Sequence, residues 1–283
     1  MQITEPPFTA TWRAHLALGY ERRAVDGVER TVLATRRHDG PLVVQKPLYP
    51  EGDAVCHGII VHPPAGIVGG DQLELDASVG PRGHALLTTP GAGKWYRSAG
   101  AWAQQTNRFT VRDAAILEWL PQETIVFNGA LARLNTEVRL GKDARYVGWE
   151  VLCLGRGVGE RFERGQCHAG VSIYRGGKPM WIERGGIEAG GLLMRATAGL
   201  DGKTVCGTMV TAAENVEAVD LNACRVLKAN VGNTAVTRLP GVVVARYLGN
   251  SSEAAKAYFM SVWAQLRPVL AGRAAVAPRI WNT

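Results

Sequence analysis

The chain has 283 residues, long for one compact domain, short for two of typical size, and within the range of single all-β domains. With 46% hydrophobic residues, 20% charged residues and a mean hydropathy of −0.04, it can bury a core, which excludes a disordered chain. The net charge of +7 admits an anionic partner, but basic residues lie beside acids, as in ERR (21–23) and TRRHDG (35–40), with no nucleic-acid-binding signature. A basic face that meets a protein is expected, and a nucleic-acid partner is not.

No apolar run is long enough to cross a bilayer, and MQITEPPFTATWRAHLALGY (1–20) lacks the apolar core of a leader. The five cysteines are odd in number, widely spaced and free of any CxxC pair. Together these features predict reduced thiols in a soluble, cytoplasmic protein.

In chain order, most segments read as strands. LVVQKPLYP (42–50) and HGIIVHPP (57–64) come first. DQLELDASVG (71–80) then alternates Leu73, Leu75, Ala77 and Val79 with polar residues, the period of a half-buried strand. GHALLTTPG, NRFTVRD, AAILEWL, ETIVFNG, NTEVRLG and YVGWEVLCLG follow as short runs closed by Gly, Pro, Asn or Asp. GVSIYRGGKPMWIERGG (170–186) reads as a hairpin, because Gly176 and Gly177 supply the positive φ of a tight turn.

Two later segments switch to helical period. AENVEAVDLNACRVLKAN (213–230) places Val216, Val219, Ala223, Val226 and Leu227 on one side, with Lys228 in the last turn. NSSEAAKAYFMSVWAQLRPVLAG (250–272) carries a stripe of Ala255, Tyr258, Phe259, Val262, Trp263, Leu266 and Leu270. Asn250 with Glu253 resembles a capping pair, Pro268 should kink or shorten the last turn, and Gly272 stands at the stop. The expected architecture is one β-rich domain with two late helices covering part of the sheets.

TTPGAGKWYRS (88–98) fails as a phosphate loop, since Thr88 stands where the first Gly belongs and Trp95 follows the Lys. Cys56-His57 and Cys167-His168 are adjacent pairs. On a strand such neighbours point to opposite faces, so neither pair makes a zinc site. No activated nucleophile is visible. Glu118, Glu150 and Glu183 each lie among apolar or aromatic neighbours within a predicted strand. Such an acid either faces solvent, the commoner case, or is buried beside arginine, metal or water, because burying it unpaired is too costly. Together these acids suit a polar conduit that holds a cation weakly through oxygen. An acid–base pair of Asp71 and His62 is the strongest enzymatic reading of the residues alone. A β-rich hydrolase or lyase with carboxylates such as Asp71 and Glu150 in a groove is the alternative function.

The strings GPLVVQKPLYPEG, CHGIIVHPPAGIVGGD, LLTTPGAGKWYRS, LEWLPQETIVFNGA, WEVLCLGR, GERFERG and LRPVLAGRAAVAPRIWNT, in this order, closely resemble the urease accessory protein UreD (UreH) family from Trp12 to the C-terminus. The resemblance implies a single UreD-like domain over 1–283, of mainly β fold: elongated, helically wound stacked β-sheets with two α-helices in the C-terminal half. It implies a non-enzymatic chaperone that binds apo-urease and UreF, through which the GTPase UreG brings nickel. Nickel would pass through an internal polar tunnel towards the urease, with no tightly bound cofactor in this chain. The conduit acids carry over onto Asp71, Glu150 and Glu183, and His62 is a weaker ligand candidate. Ala65 departs from the family where many members have Gly, and Gly93 where a Ser or Thr usually precedes the Lys. Exposed helix faces over 214–229 and 254–272 are the expected docking place of UreF.

Overall fold

A computed structural model describes residues 12–157 and 159–282. The stretch read for a leader lies largely outside them. The strands are β1 (Arg13–Val25), β2 (Val28–Asp39), β3 (Val43–Val44), β4 (Cys56–Val61), β5 (Gln72–Val79), β6 (His84–Thr88), β7 (Gly93–Trp95), β8 (Ala103–Val111) and β9 (Ile116–Trp119). They continue with β10 (Thr124–Val126), β11 (Leu131–Leu140), β12 (Arg145–Leu154), β13 (Gln166–Arg175) and β14 (Lys178–Glu188). After α1 (Leu192–Arg195) and β15 (Val205–Ala212) come α2 (Leu221–Val226), β16 (Asn233–Leu239), β17 (Val242–Gly249) and α3 (Ser252–Ala271). None of these helices is long and apolar enough to cross a membrane.

The strands form two sheets. The first runs β14-β13-β11-β8-β5-β1-β2, the second β16-β17-β15-β12-β9-β6-β4-β3, with β10 beside β12 and β7 beside β10. From β4 to β13, the short β7 and β10 apart, the chain alternates between them, and successive strands within each sheet pair in parallel. Each coil therefore lays one main strand on each sheet, with β7 and β10 added to the second, which gives stacked sheets with a helical, solenoid-like winding. Antiparallel strands finish the ends: β1–β2 and β13–β14 in the first sheet, β15–β17–β16 and β3 in the second.

Burial explains why the two sheets read differently in sequence. The first sheet has one wet face, so β5 buries Leu73, Leu75, Ala77 and Val79 and turns Glu74, Asp76 and Ser78 outward. The second is covered on both faces, so β6 and β9 are buried at every position. Its inner face meets the first sheet in a core that includes Leu16, Leu75, Phe109, Leu87, Leu117 and Trp119. Its outer face carries Val147, Trp149, Val151 and Cys153, which pack against α3.

The seven α3 residues of the expected stripe are all buried. Gly207 of β15 permits their approach, since a Cβ there would lie 2.8 Å from the Phe259 ring. The cap differs from expectation. Ser251 is the N-cap, accepting from Ala254 N, while Asn250 accepts from Thr204 N at 3.0 Å. Gly272 ends the helix in the left-handed region, as expected. Pro268 stays inside the last turn; the carbonyl its missing N–H leaves unbonded belongs to exposed Ala264.

The segment 213–230 is not one helix. A 3-10 turn over Val216–Ala218 is followed by extended Val219, and Asp220 then caps the six-residue α2 through Asn222 N and Ala223 N. Asp220 competes with the helix by capping a new one, so the stripe is broken and Val226 is 75% exposed. The short α1 is a third helix that the sequence reading does not contain. The hairpin of β13 and β14 turns at Gly176 (φ 54°) and Gly177 (φ 78°), as expected.

Candidate functional site

Along β12 the side chains alternate between two apolar layers: Tyr146, Leu152 and Leu154 inward, Val147, Trp149, Val151 and Cys153 outward. Glu150 is the one acid on the inward row. It is accommodated because the sheets part there, leaving a cavity of about 630 Å³ between β12, β15 and β17 on one side and β13 and β14 on the other. Glu150 and Glu183 both line it, with Thr208, Arg246, Cys167 and Cys206. α1 and the turn after it border the cavity through Leu193 and Leu200.

Register fixes the arrangement. Glu150 stands opposite Thr208, and Thr208 opposite Arg246, so the three form one row on the second sheet. Glu183 comes from the first sheet. Arg246 Nη1 spans the gap, donating to Glu183 Oε1 at 2.7 Å and to Thr208 Oγ1 at 3.1 Å. Glu183 Oε2 is buried without a partner. Burial pushes the Glu150 carboxyl up to about 7, and the charge of Glu183 adds to the rise, against a hydrogen bond from Thr124. Burial, with the charges of Glu150 and Glu183, pushes the Cys206 thiol up to about 12, and burial, with the charges of Glu150 and Cys206, raises Cys167. Both thiols therefore stay protonated, and the donors offered to a cation are carboxylate oxygens.

Asp71 is elsewhere. It precedes β5, three strands from β13 and thus three spacings of about 4.8 Å away, and does not line the cavity. It is 3% exposed; Oδ2 accepts from Val68 N at 2.9 Å and closes the Gly-Gly turn, while Oδ1 is buried without a partner. His62 is half-buried nearby. Its burial lowers the imidazole below the usual range, and the Asp71 charge opposes this. The structure thus joins Glu150 with Glu183, and Asp71 with His62, as two separate pairs. Asp71 and Glu150, which share a groove in the hydrolase alternative, are not brought together.

Glu118 takes the other course open to a buried acid. It is 1% exposed, and Arg267 donates to it through Nη2 at 2.9 Å, Trp263 through Nε1 at 2.5 Å. His84 lies 2.6 Å from Oε1. Burial alone would raise this carboxyl, but His84 and Arg267 outweigh it and hold it down at about 2. Arg267 also binds Glu51, whose Oε1 lies 2.7 Å from His57. These six groups pin α3 to the second sheet. Arg246 and Arg267 escaped the sequence reading; the available signals were an Arg interrupting the apolar run VVVARYLG and another inside the helix stripe.

The family model described as UreD urease accessory protein matches residues 13–282. A urease accessory protein UreD of Dechloromonas aromatica (strain RCB) is 52% identical over 288 aligned positions, covering 100% of this chain and 99% of the relative. One from Azoarcus sp. (strain BH72) is 54% identical, covering 96% of this chain and 94% of its own length. The chain belongs to the UreD urease accessory protein family. Its departures from the UreD strings have structural settings: Ala65 adopts φ 61°, the region that favours glycine, and Gly93 is exposed, with nothing nearer its Cβ position than Trp95 Nε1 at 3.9 Å. Neither UreD departure touches the Glu150–Glu183 cavity.

Proposed function

We propose that this chain, as a single UreD-like domain in the cytoplasm, is a non-enzymatic scaffold that binds apo-urease, UreF and UreG and conducts nickel to the urease active site. Nickel is cargo, held in passing by Glu150 and Glu183. Asp71 is a second station, and His62 a lesser donor beside it. The observation that carries this reading is the meeting of two carboxylates from opposite sheets in one cavity between the sheets, with Glu183 Oε2 unpartnered. Two carboxylates without a thiolate give weak, reversible binding, which suits transfer. Asp71 Oδ1, buried and unpartnered, supports the second station. UreF is assigned to the helical outer layer, where α3 exposes Glu253, Ala257, Ser261 and Ala264.

Complementation of a urease operon lacking its own UreD gene tests the reading. Wild-type chain should restore activity and nickel content. Asp71→Ala, Glu150→Ala and Glu183→Ala should assemble with the partners yet deliver about tenfold less nickel, the loss of one charged ligand. Full nickel loading by all three variants would overturn the conduit.

A further inference from the structure

We propose that Arg246 is a displaceable plug at the carboxylate pair: its guanidinium holds the place at Glu183 that a divalent cation takes, and the two exclude one another. The proposal rests on the conduit reading and assigns a discharge device to it. Arg246 is the cation of the row Glu150, Thr208, Arg246, and it bridges to Glu183 across the gap between the sheets. With both acids ionised, the guanidinium neutralises one of two charges. A divalent cation bound by both would sit beside a positive charge, which disfavours occupancy while Arg246 is in place.

The side chain is built to move. Its exposure is 47%, against 30% for Glu183, so it can swing into water without desolvation. Its remaining contacts are modest: the Thr208 hydroxyl at 3.1 Å and the Trp181 ring at 5.9 Å. This contrasts with Arg267, 1% exposed and bonded to two acids, which is fixed in place. Entry of the cation displaces Arg246, and its return to Glu183 expels the cation. A site with such a competitor passes metal on instead of storing it.

The test is nickel binding by the purified full chain, by calorimetry and by release to a chelator in stopped flow. Arg246→Ala should bind nickel at least about tenfold more tightly and release it more slowly, since a like charge has been removed. Arg246→Lys should stay near wild type. Millimolar guanidinium should return Arg246→Ala towards wild-type affinity, a rescue that a merely structural role would not show. Glu183→Gln should abolish the gain. If Arg246→Ala binds no tighter while Glu150→Gln and Glu183→Gln weaken binding, the plug falls and the conduit stands. If those two variants leave nickel binding unchanged, conduit and plug fall together.

Discussion

At Glu150 an ordinary residue type acquires an unusual property from its place. The free carboxyl has a value near 4.5, and burial in the cavity, reinforced by the charge of Glu183, raises it to about 7. Between these values the folded chain keeps a proton that the unfolded chain has released. This contribution therefore lowers stability as pH rises from 4.5 through 7, and the loss levels off above. Glu150→Gln removes it. The variant should match wild type at pH 5 and exceed it at pH 8 by about 2 kcal/mol, measured by urea unfolding at both values. An equal difference at the two pH values would show that Glu150 titrates normally. Glu118 shows the opposite case. It is also buried in a strand of the second sheet, but Arg267 and His84 reach it, and its carboxyl falls to about 2. Which case applies is set by a partner 149 residues away in sequence, Arg267.

Among the elements, α3 depends most on a single polar anchor. Its apolar stripe packs on the second sheet, and Arg267 emerges from that stripe between Glu51 and Glu118. Removing the guanidinium leaves two buried carboxylates without their cation. Arg267→Ala should cost about 4 kcal/mol and loosen α3 before the sheets, seen as amide exchange in residues 252–271. Protection equal to wild type would mean that the apolar stripe alone holds the helix. The helix itself was legible, since the stripe, Pro268 and Gly272 stand in the sequence at helical spacing. The segment 213–230 was misread because its apolar spacing also fits a turn followed by a short helix. Asp220 decides between them by bonding the backbone locally. Strands β1, β2, β7, β15, β16 and β17 are not legible in the sequence. β1 and β2 are long and charged towards a wet edge, and β15 and β17 lie in a sheet buried on both faces, where alternation disappears.

On the scale of the whole molecule, the second sheet belongs to two cores at once. Its inner face packs on the first sheet and its outer face on α3. Neither core can be exposed without uncovering the shared sheet, so the chain should unfold in one transition. Far-UV circular dichroism should report all strands, and intrinsic fluorescence should report both cores, through Trp95 and Trp119 in the inner one and through Trp149, Trp263 and Trp281, with ring centroids 5.7 to 6.4 Å apart, in the outer one. The two curves should coincide in urea, each as a single step, and a two-step fluorescence curve would show that the two cores unfold as independent units.

The sequence by itself determined the β-rich class, the hairpin at Gly176-Gly177, the span of α3 and membership of the UreD family. Each of these is written in local spacing or in contiguous strings. Local patterns are set by a period of two or 3.6 residues and survive in any one-dimensional reading. Only the tertiary structure decided that Glu150 meets Glu183 and Arg246, that Glu118 meets Arg267, and that Asp71 stands apart from the Glu150–Glu183 cavity. Those meetings join strands and a helix that lie far apart in the chain. A single strand's sequence tells which of its faces is polar, but what lies opposite that face depends on where the winding brings the rest of the chain.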